Sequence, residues 1–194
     1  MTKPGATDDA ARSDAGAAGR GPAATDPFGS VGTQTLVRTS ASVDPLSVLP
    51  ERAFDNLLVV AARDHPAKLQ RRLERAGRDL SNVGVVPVVP AAREYDGDLW
   101  TTDAVSPDDL TGLGMRFSDA LGHVEPGTGW VFVDALGVLL MYAADARVCR
   151  WFQTVANRVR ARDVRGVYCA NAGAVASGTY EQLRSMCDAE YGAE

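Results

Sequence analysis

Lysine is almost missing from this chain: Lys3 and Lys68 are the only two in 194 residues, so nearly all positive charge is arginine. Asp outnumbers Glu, and the formal net charge is -5. That balance excludes a nucleic-acid binder driven by bulk charge. Cysteine is also scarce. Cys149, Cys169 and Cys187 stand far apart, with no CxxC and no Cys/His cluster, which excludes a structural zinc site of the usual spacing and leaves no metal expected. An odd count with no secretory leader points to reduced, buried thiols and a cytoplasmic protein. No window approaches the ~18–20 apolar residues of a membrane span, and the N-terminus has no apolar region of the signal-peptide kind. Finally, no G-x-x-x-x-G-K-[ST] loop occurs. That motif cradles nucleotide phosphates with backbone amides and a Lys.

What is present suits one soluble globular domain: 45% of residues are hydrophobic, and the length allows a sizeable core. Residues 1–30 are rich in Ala, Gly, Asp, Pro and Thr, with Phe28 the one large apolar side chain after Met1. Such a segment buries too little to offset its ordering entropy, and it is expected to be a disordered tail. The folded domain is expected over 31–194.

Within that domain strand and helix patterns alternate. TQTLVRT (33–39) reads as a first strand, and NLLVVAA (56–62) as a strand buried on both faces. Asp64-His65-Pro66 offers an N-cap with Pro in the first turn of a helix, whose apolar face holds Leu69, Leu73 and Ala76 and which stops at Gly77. Val83–Val89 is the next strand, with Pro87 marking an edge position or an early end. Residues 90–106 are polar and aperiodic, a candidate lid. Ser106-Pro107-Asp108-Asp109 resembles a helix start, followed by Leu110, Leu113, Phe117 and Leu121. WVFVDAL (130–136) is a buried strand ending on Asp134. Val148, Phe152, Val155 and Val159 fall at helical spacing, flanked by Arg147, Arg150, Arg158 and Arg162. GVYCA (166–170) is the fifth strand. Thr179 and Gln182 suggest a capping box for a last helix.

About five strands separated by helices predict an α/β domain with a mostly parallel sheet and helices on both faces. Ligands in such folds sit beyond the carboxyl ends of the strands. That places Arg38, Arg63, Asp64, Asp134 and Asn171 among the candidate ligand or partner contacts. Asp at the end of a buried strand is how many ATPases hold the water shell of Mg²⁺. The plainer reading is that Asp134 caps the following turn or helix. His65 and His123 read as surface residues beside helix ends, and Ser40, Ser42 and Ser177 lack any hydrolase-elbow context. The arginines of 147–162 read as a solvated face, or as a surface for phosphate or an acidic partner. Trp130 and Trp151 are expected to pack against the sheet, and Trp100 to lie in a loop.

From Thr33 onward the chain resembles the RecA/KaiC-like ATPases, and most of all their degenerate relatives in halophilic archaea, as its Asp-rich, Lys-poor composition also suggests. The segments that carry the resemblance are NLLVVAARDHPAKLQRRL, SPDDLTGLGMRFSDAL, GWVFVDALGVLLMY with the long helix ending VANRVRAR, and GVYCANAGAVASGTYEQLRSMCD. The resemblance implies a three-layer sandwich, with a phosphate loop after the first strand and catalytic carboxylates after the second. Here Ser40 to Asp55 contains neither Gly nor Lys, Pro45 and Pro50 break any long helix, and Asp44 would repel phosphate. The second strand ends Ala61-Ala62-Arg63-Asp64, where only Asp64 could substitute. Asp134 is then a vestigial metal-type residue. The expectation is a non-catalytic, cofactor-free signalling or regulatory interaction module, with a protein partner or a second copy and no ATPase activity. The alternative is a nucleotide sensor without hydrolysis, with Arg38 or Arg63 replacing the missing Lys. A receiver-like phosphoacceptor at Asp134 ranks last, since an early acidic pair and a late Lys are missing.

Overall fold

The computed structural model describes residues 28–40, 44–90 and 94–192. The expected tail over 1–27, and Ser42, lie outside the described residues. The elements in chain order are β1 (Gln34–Arg38), two 3-10 turns (Pro45–Val48 and Glu51–Asp55), β2 (Leu57–Ala61), α1 (Pro66–Arg75), β3 (Val83–Pro87), β4 (Trp100–Thr101), α2 (Leu110–Leu121), β5 (Trp130–Val133), α3 (Leu136–Tyr142), α4 (Asp145–Ala161), β6 (Arg165–Ala170), α5 (Ser177–Ser185) and β7 (Ala189–Gly192). The strands form one sheet of seven in the order β4-β3-β2-β5-β6-β1-β7. Every pairing is parallel.

The α/β expectation holds, with two more strands than the five read from sequence. Both additions are edges. β4 is two residues long and lies in the aperiodic 90–106 stretch, and β7 (AEYG) is almost wholly exposed. Neither carries the apolar run that marks a strand buried on both faces. Pro87 ends β3, and β3 lies one strand in from the edge; beyond it, the chain resumes pairing through Val88, whose amide donates to Ala61 O at 2.7 Å.

Because successive strand side chains point to opposite faces, each central strand feeds two cores. On one face Leu36, Leu58, Val60, Val131, Val133 and Tyr168 meet the apolar stripes of α2 to α5. On the other, Val37, Val59, Phe132 and Cys169 meet Leu69 and Leu73 of α1 and the side chains Leu46, Leu49, Ala53 and Phe54 of the 3-10 turns. The result is a three-layer sandwich. In α4, Val148, Phe152, Val155 and Val159 are all buried, as their spacing predicts. Among the described residues no helix is long and apolar enough to cross a membrane.

Several local expectations are corrected. The folded body includes Phe28, which is buried and packs edge-on against Trp130 at 5.6 Å. α1 is capped by His65, whose Nδ1 accepts from Ala67 N at 3.3 Å, and not by Asp64. Ala76 is exposed, while Gly77 takes the positive φ of 66° that ends the helix. α2 is capped by Asp109, which accepts from Gly112 N at 2.8 Å, three residues later than Ser106 would place it. Thr179 does not cap α5, which has no side-chain cap; its hydroxyl donates to Asp145 instead. Trp100 belongs to β4 and leans on His123.

Candidate functional site

The sheet order locates the crevice. From β2 the chain moves outward to β3 and β4, returns to β5 beside β2, and then proceeds in the opposite direction to β6. The connections leaving β2 and β5 therefore diverge, and ligands of open parallel sheets bind where strand order reverses in this way. Ala62 to Asp64 follow β2 at this point, and Asp134 follows β5.

The carboxylate of Asp134 is half-buried and engaged by backbone amides. Its Oδ1 accepts from the backbone amide of Ala62 at 2.8 Å, and the Arg63 amide supplies a second bond. Burial pushes its pKa up to about 6, against the pull of these amides and the Arg63 guanidinium; the Asp64 charge adds to the rise. Asp134 thus ties the end of β5 to the turn after the neighbouring strand. The expectation that it caps its own following helix is corrected: α3 has no side-chain cap.

Asp64 is buried and turned the other way. Its Oδ1 lies 2.6 Å from Lys68 Nζ, and its Oδ2 accepts from Arg72. Burial alone would raise its pKa, but the hydrogen bonds from Lys68 and Arg72 outweigh that and hold it below the usual carboxylate range. The other guanidinium nitrogen of Arg72 donates to Asp44, whose Oδ1 also accepts from Leu46 N at 3.0 Å and so caps the first 3-10 turn. Asp44 and Asp64, distant in sequence, share one arginine. No sequence motif announces that bridge.

The remaining candidates separate. Arg63 is exposed and lies in the field of Asp134 and of the buried Cys169 thiol. Arg38 stands at the end of β1 beside β7, in the field of Glu190 and the Tyr180 hydroxyl. Asn171 closes its own turn, its Oδ1 accepting from Gly173 N at 3.0 Å. Of the two arginines proposed to replace a phosphate-binding Lys, only Arg63 comes near Asp134. Cys169 is the neighbour that sequence reading missed; its place at the end of β6 was the available signal.

Surface cavities open at several places among the described residues. They lie between α2 and α4 (about 540 Å³), around His65, Tyr95 and Asp103 (about 530 Å³), beside Asp44 and Phe54 (about 300 Å³), and under Trp100 (about 250 Å³). Asp134 lines none of them. Among the described residues no three His, Cys, Asp or Glu side chains gather as a metal site requires.

A model of a family of unknown function, DUF7504, matches residues 30–191. The chain belongs to that family. No curated protein matches it in sequence. In structure it is similar to PH0250 of Pyrococcus horikoshii OT3, with a TM-score of 0.57 and 17% identity over 86% of this chain and 84% of that one. It is also similar to PH0186, a KaiC-like protein of the same hyperthermophilic archaeon, with a TM-score of 0.54 and 8% identity over 79% of this chain and 68% of that one. At such identities the likeness concerns the fold, which is RecA/KaiC-like.

Proposed function

We propose that this member of DUF7504 is a degenerate RecA/KaiC-like domain that no longer hydrolyses ATP and acts as a signalling or regulatory interaction module in a salt-adapted cytoplasm. The observation that carries this reading is the course of the chain after β1. Where the family resemblance calls for a glycine loop and a helix, Pro45–Val48 and Glu51–Asp55 form two 3-10 turns. Their Leu46, Leu49, Ala53 and Phe54 are buried against the sheet and α1. The Leu and Phe side chains each contribute roughly 1.5–3 kcal/mol when fully buried, so the segment is committed to packing. Asp44, at its head, presents a carboxylate paired with Arg72 where a phosphate would need amides and a cation. Phosphoryl transfer depends on such positioning and charge stabilisation, and the amide-bonded Asp134 is poorly placed to supply either.

The test is phosphate release from MgATP by the purified chain in high salt, with a thermal-shift titration of ATP and ADP in parallel. Background-level release and an unmoved Tm are expected. Turnover abolished by Asp134→Ala would overturn the reading. A Tm raised by nucleotide without turnover would replace it with the sensor, with Arg63 as the phosphate-facing cation.

A further inference from the structure

A cavity of about 540 Å³ lies away from the strand ends, on the outer surface between α2 and α4. Its α4 wall carries Arg147, Arg150, Thr154 and Arg158, all exposed, at positions i, i+3, i+7 and i+11. These are one stripe of a helix, roughly 16 Å long at 1.5 Å per residue. Trp151 forms the floor and is buried. The α2 wall carries Thr111, Gly114, Met115 and Ser118, and Met115 is 61% exposed.

Charge in the groove is of one sign along most of its length. Among the described residues none of the three arginines is in a salt bridge. Arg158 donates to Ser118 Oγ, which orients it across the groove. The opposing charges are Asp119 on the α2 rim and Asp108, which feels Arg147. Gly114 adds an independent sign. A Cβ there would meet nothing nearer than Trp151 at 3.9 Å, so packing does not demand glycine in this helix interior, where glycine is a poor helix former. Its effect is to keep the groove floor low.

We propose that this groove docks an acidic amphipathic helix of a protein partner. Three guanidinia spread over three turns cannot converge on a single phosphate, but they match carboxylates at the same i, i+3 and i+11 spacing on a helix laid along them, with Thr154 opposite position i+7. Arginine is suited to bidentate carboxylate pairing. The apolar face of such a helix would rest on Met115, Leu110 and the edge of Trp151, the helix-in-groove mode of recognition. The partner's acidic surface would also suit the chain's own net charge poorly elsewhere, which confines docking to this stripe. The proposal rests on the interaction-module reading and names the surface it uses.

The experiment uses the full chain and a synthetic helical peptide with Glu at i, i+3 and i+11 and Leu at the inward positions, with a Lys-for-Glu peptide as control. Calorimetry should show binding of the Glu peptide that weakens by about tenfold or more in Arg147→Glu/Arg150→Glu, as charge reversal at a contact does. The same variant, its fold checked by circular dichroism, should gain binding of the Lys peptide. Equal binding of both peptides, or loss of neither in the variant, overturns the proposal. So does tripolyphosphate that displaces the peptide and binds more tightly, since the groove is then an anion site. A dimer in sedimentation that the variant abolishes also overturns it, because the occupant is then a second copy. ATP turnover would sink the interaction-module reading but leave the peptide result as it stands, so the two fail separately.

Discussion

Asp134 Oδ1 lies 2.8 Å from the backbone nitrogen of Ala62 and accepts its hydrogen bond. Through that contact the end of β5 holds the turn after β2, at the point where the two connections part. The same carboxylate is enclosed enough for burial to push its pKa up to about 6.

Asp134 therefore opposes stability in a defined pH window. The unfolded chain ionises this group near the ordinary Asp value of 3.8 and the native chain only near 6, so between those values the native state binds more protons and stability falls as pH rises. A tenfold change in an ionisation constant is about 1.4 kcal/mol, so the loss is on the order of 2–3 kcal/mol and is complete above pH 6. Asp134→Asn keeps an acceptor for Ala62 and removes the charge. Urea melts at pH 4 and pH 7 should show it gaining stability over the parent at the higher pH only. Asp134→Ala removes the acceptor of these half-buried amides along with the charge, so at pH 7 it should gain less than Asp134→Asn, by about 1 kcal/mol.

Arg72 is expected to matter in the opposite direction. Arg72→Ala leaves the buried Asp64 with Lys68 alone and frees Asp44. Arg72 is partly exposed, so solvent screens the pair and the cost is about 1–2 kcal/mol, below the full penalty for a buried charge. The folded pKa of Asp64 is depressed, so this contribution is present above 3.8 and disappears as pH falls through the native value. Denaturation of the two proteins at pH 7 and pH 2.5 should show the difference shrinking in acid.

Gly166 is a position at which the sheet has no room for a side chain. A Cβ there would sit 2.1 Å from Gln34 Oε1 and 2.4 Å from the Tyr168 hydroxyl oxygen, two buried groups hydrogen-bonded to each other at 2.5 Å. Gly166→Ala should cost roughly 1–3 kcal/mol from overpacking, or more if that bond breaks. Adding Tyr168→Phe, which removes one of the clashing atoms, should return part of the loss in a double-mutant cycle.

The thiols should be sluggish nucleophiles. None of the three is paired, and Cys149 and Cys169 are buried. Burial pushes all three pKa values up, to about 12 for Cys187, so little thiolate exists at pH 8. Reaction with a disulfide reagent should be slow in buffer and complete in denaturant; a fast phase in the native protein would contradict the placement of Cys187.

Much of the layered architecture was legible in the pattern. Apolar runs such as NLLVVAA and WVFVDAL announced strands buried on both faces, and the i, i+4, i+7, i+11 spacing of Val148, Phe152, Val155 and Val159 announced α4. The edge strands were not legible, because Trp100–Thr101 and Ala189–Gly192 are short, largely exposed and carry no apolar run. The cap of α1 was misplaced by one residue. Asp64 and His65 can both cap a helix, and here the Asp64 carboxylate is engaged by Lys68 and Arg72 while His65 Nδ1 accepts from Ala67 N.

By itself the sequence determined the class of fold and the absence of a phosphate-loop motif, because strand and helix periodicity and the composition of a single loop are local properties. Tertiary structure alone decided what the surviving carboxylates do. Asp134 is bound by the amide of Ala62, 72 residues away in the turn after β2, and Asp64 shares an arginine with Asp44. The arginine stripe of α4 became one wall of a groove only when α2 packed beside it. Pairings of that kind depend on which strands become neighbours, and strand order is set by the packing of the whole sheet.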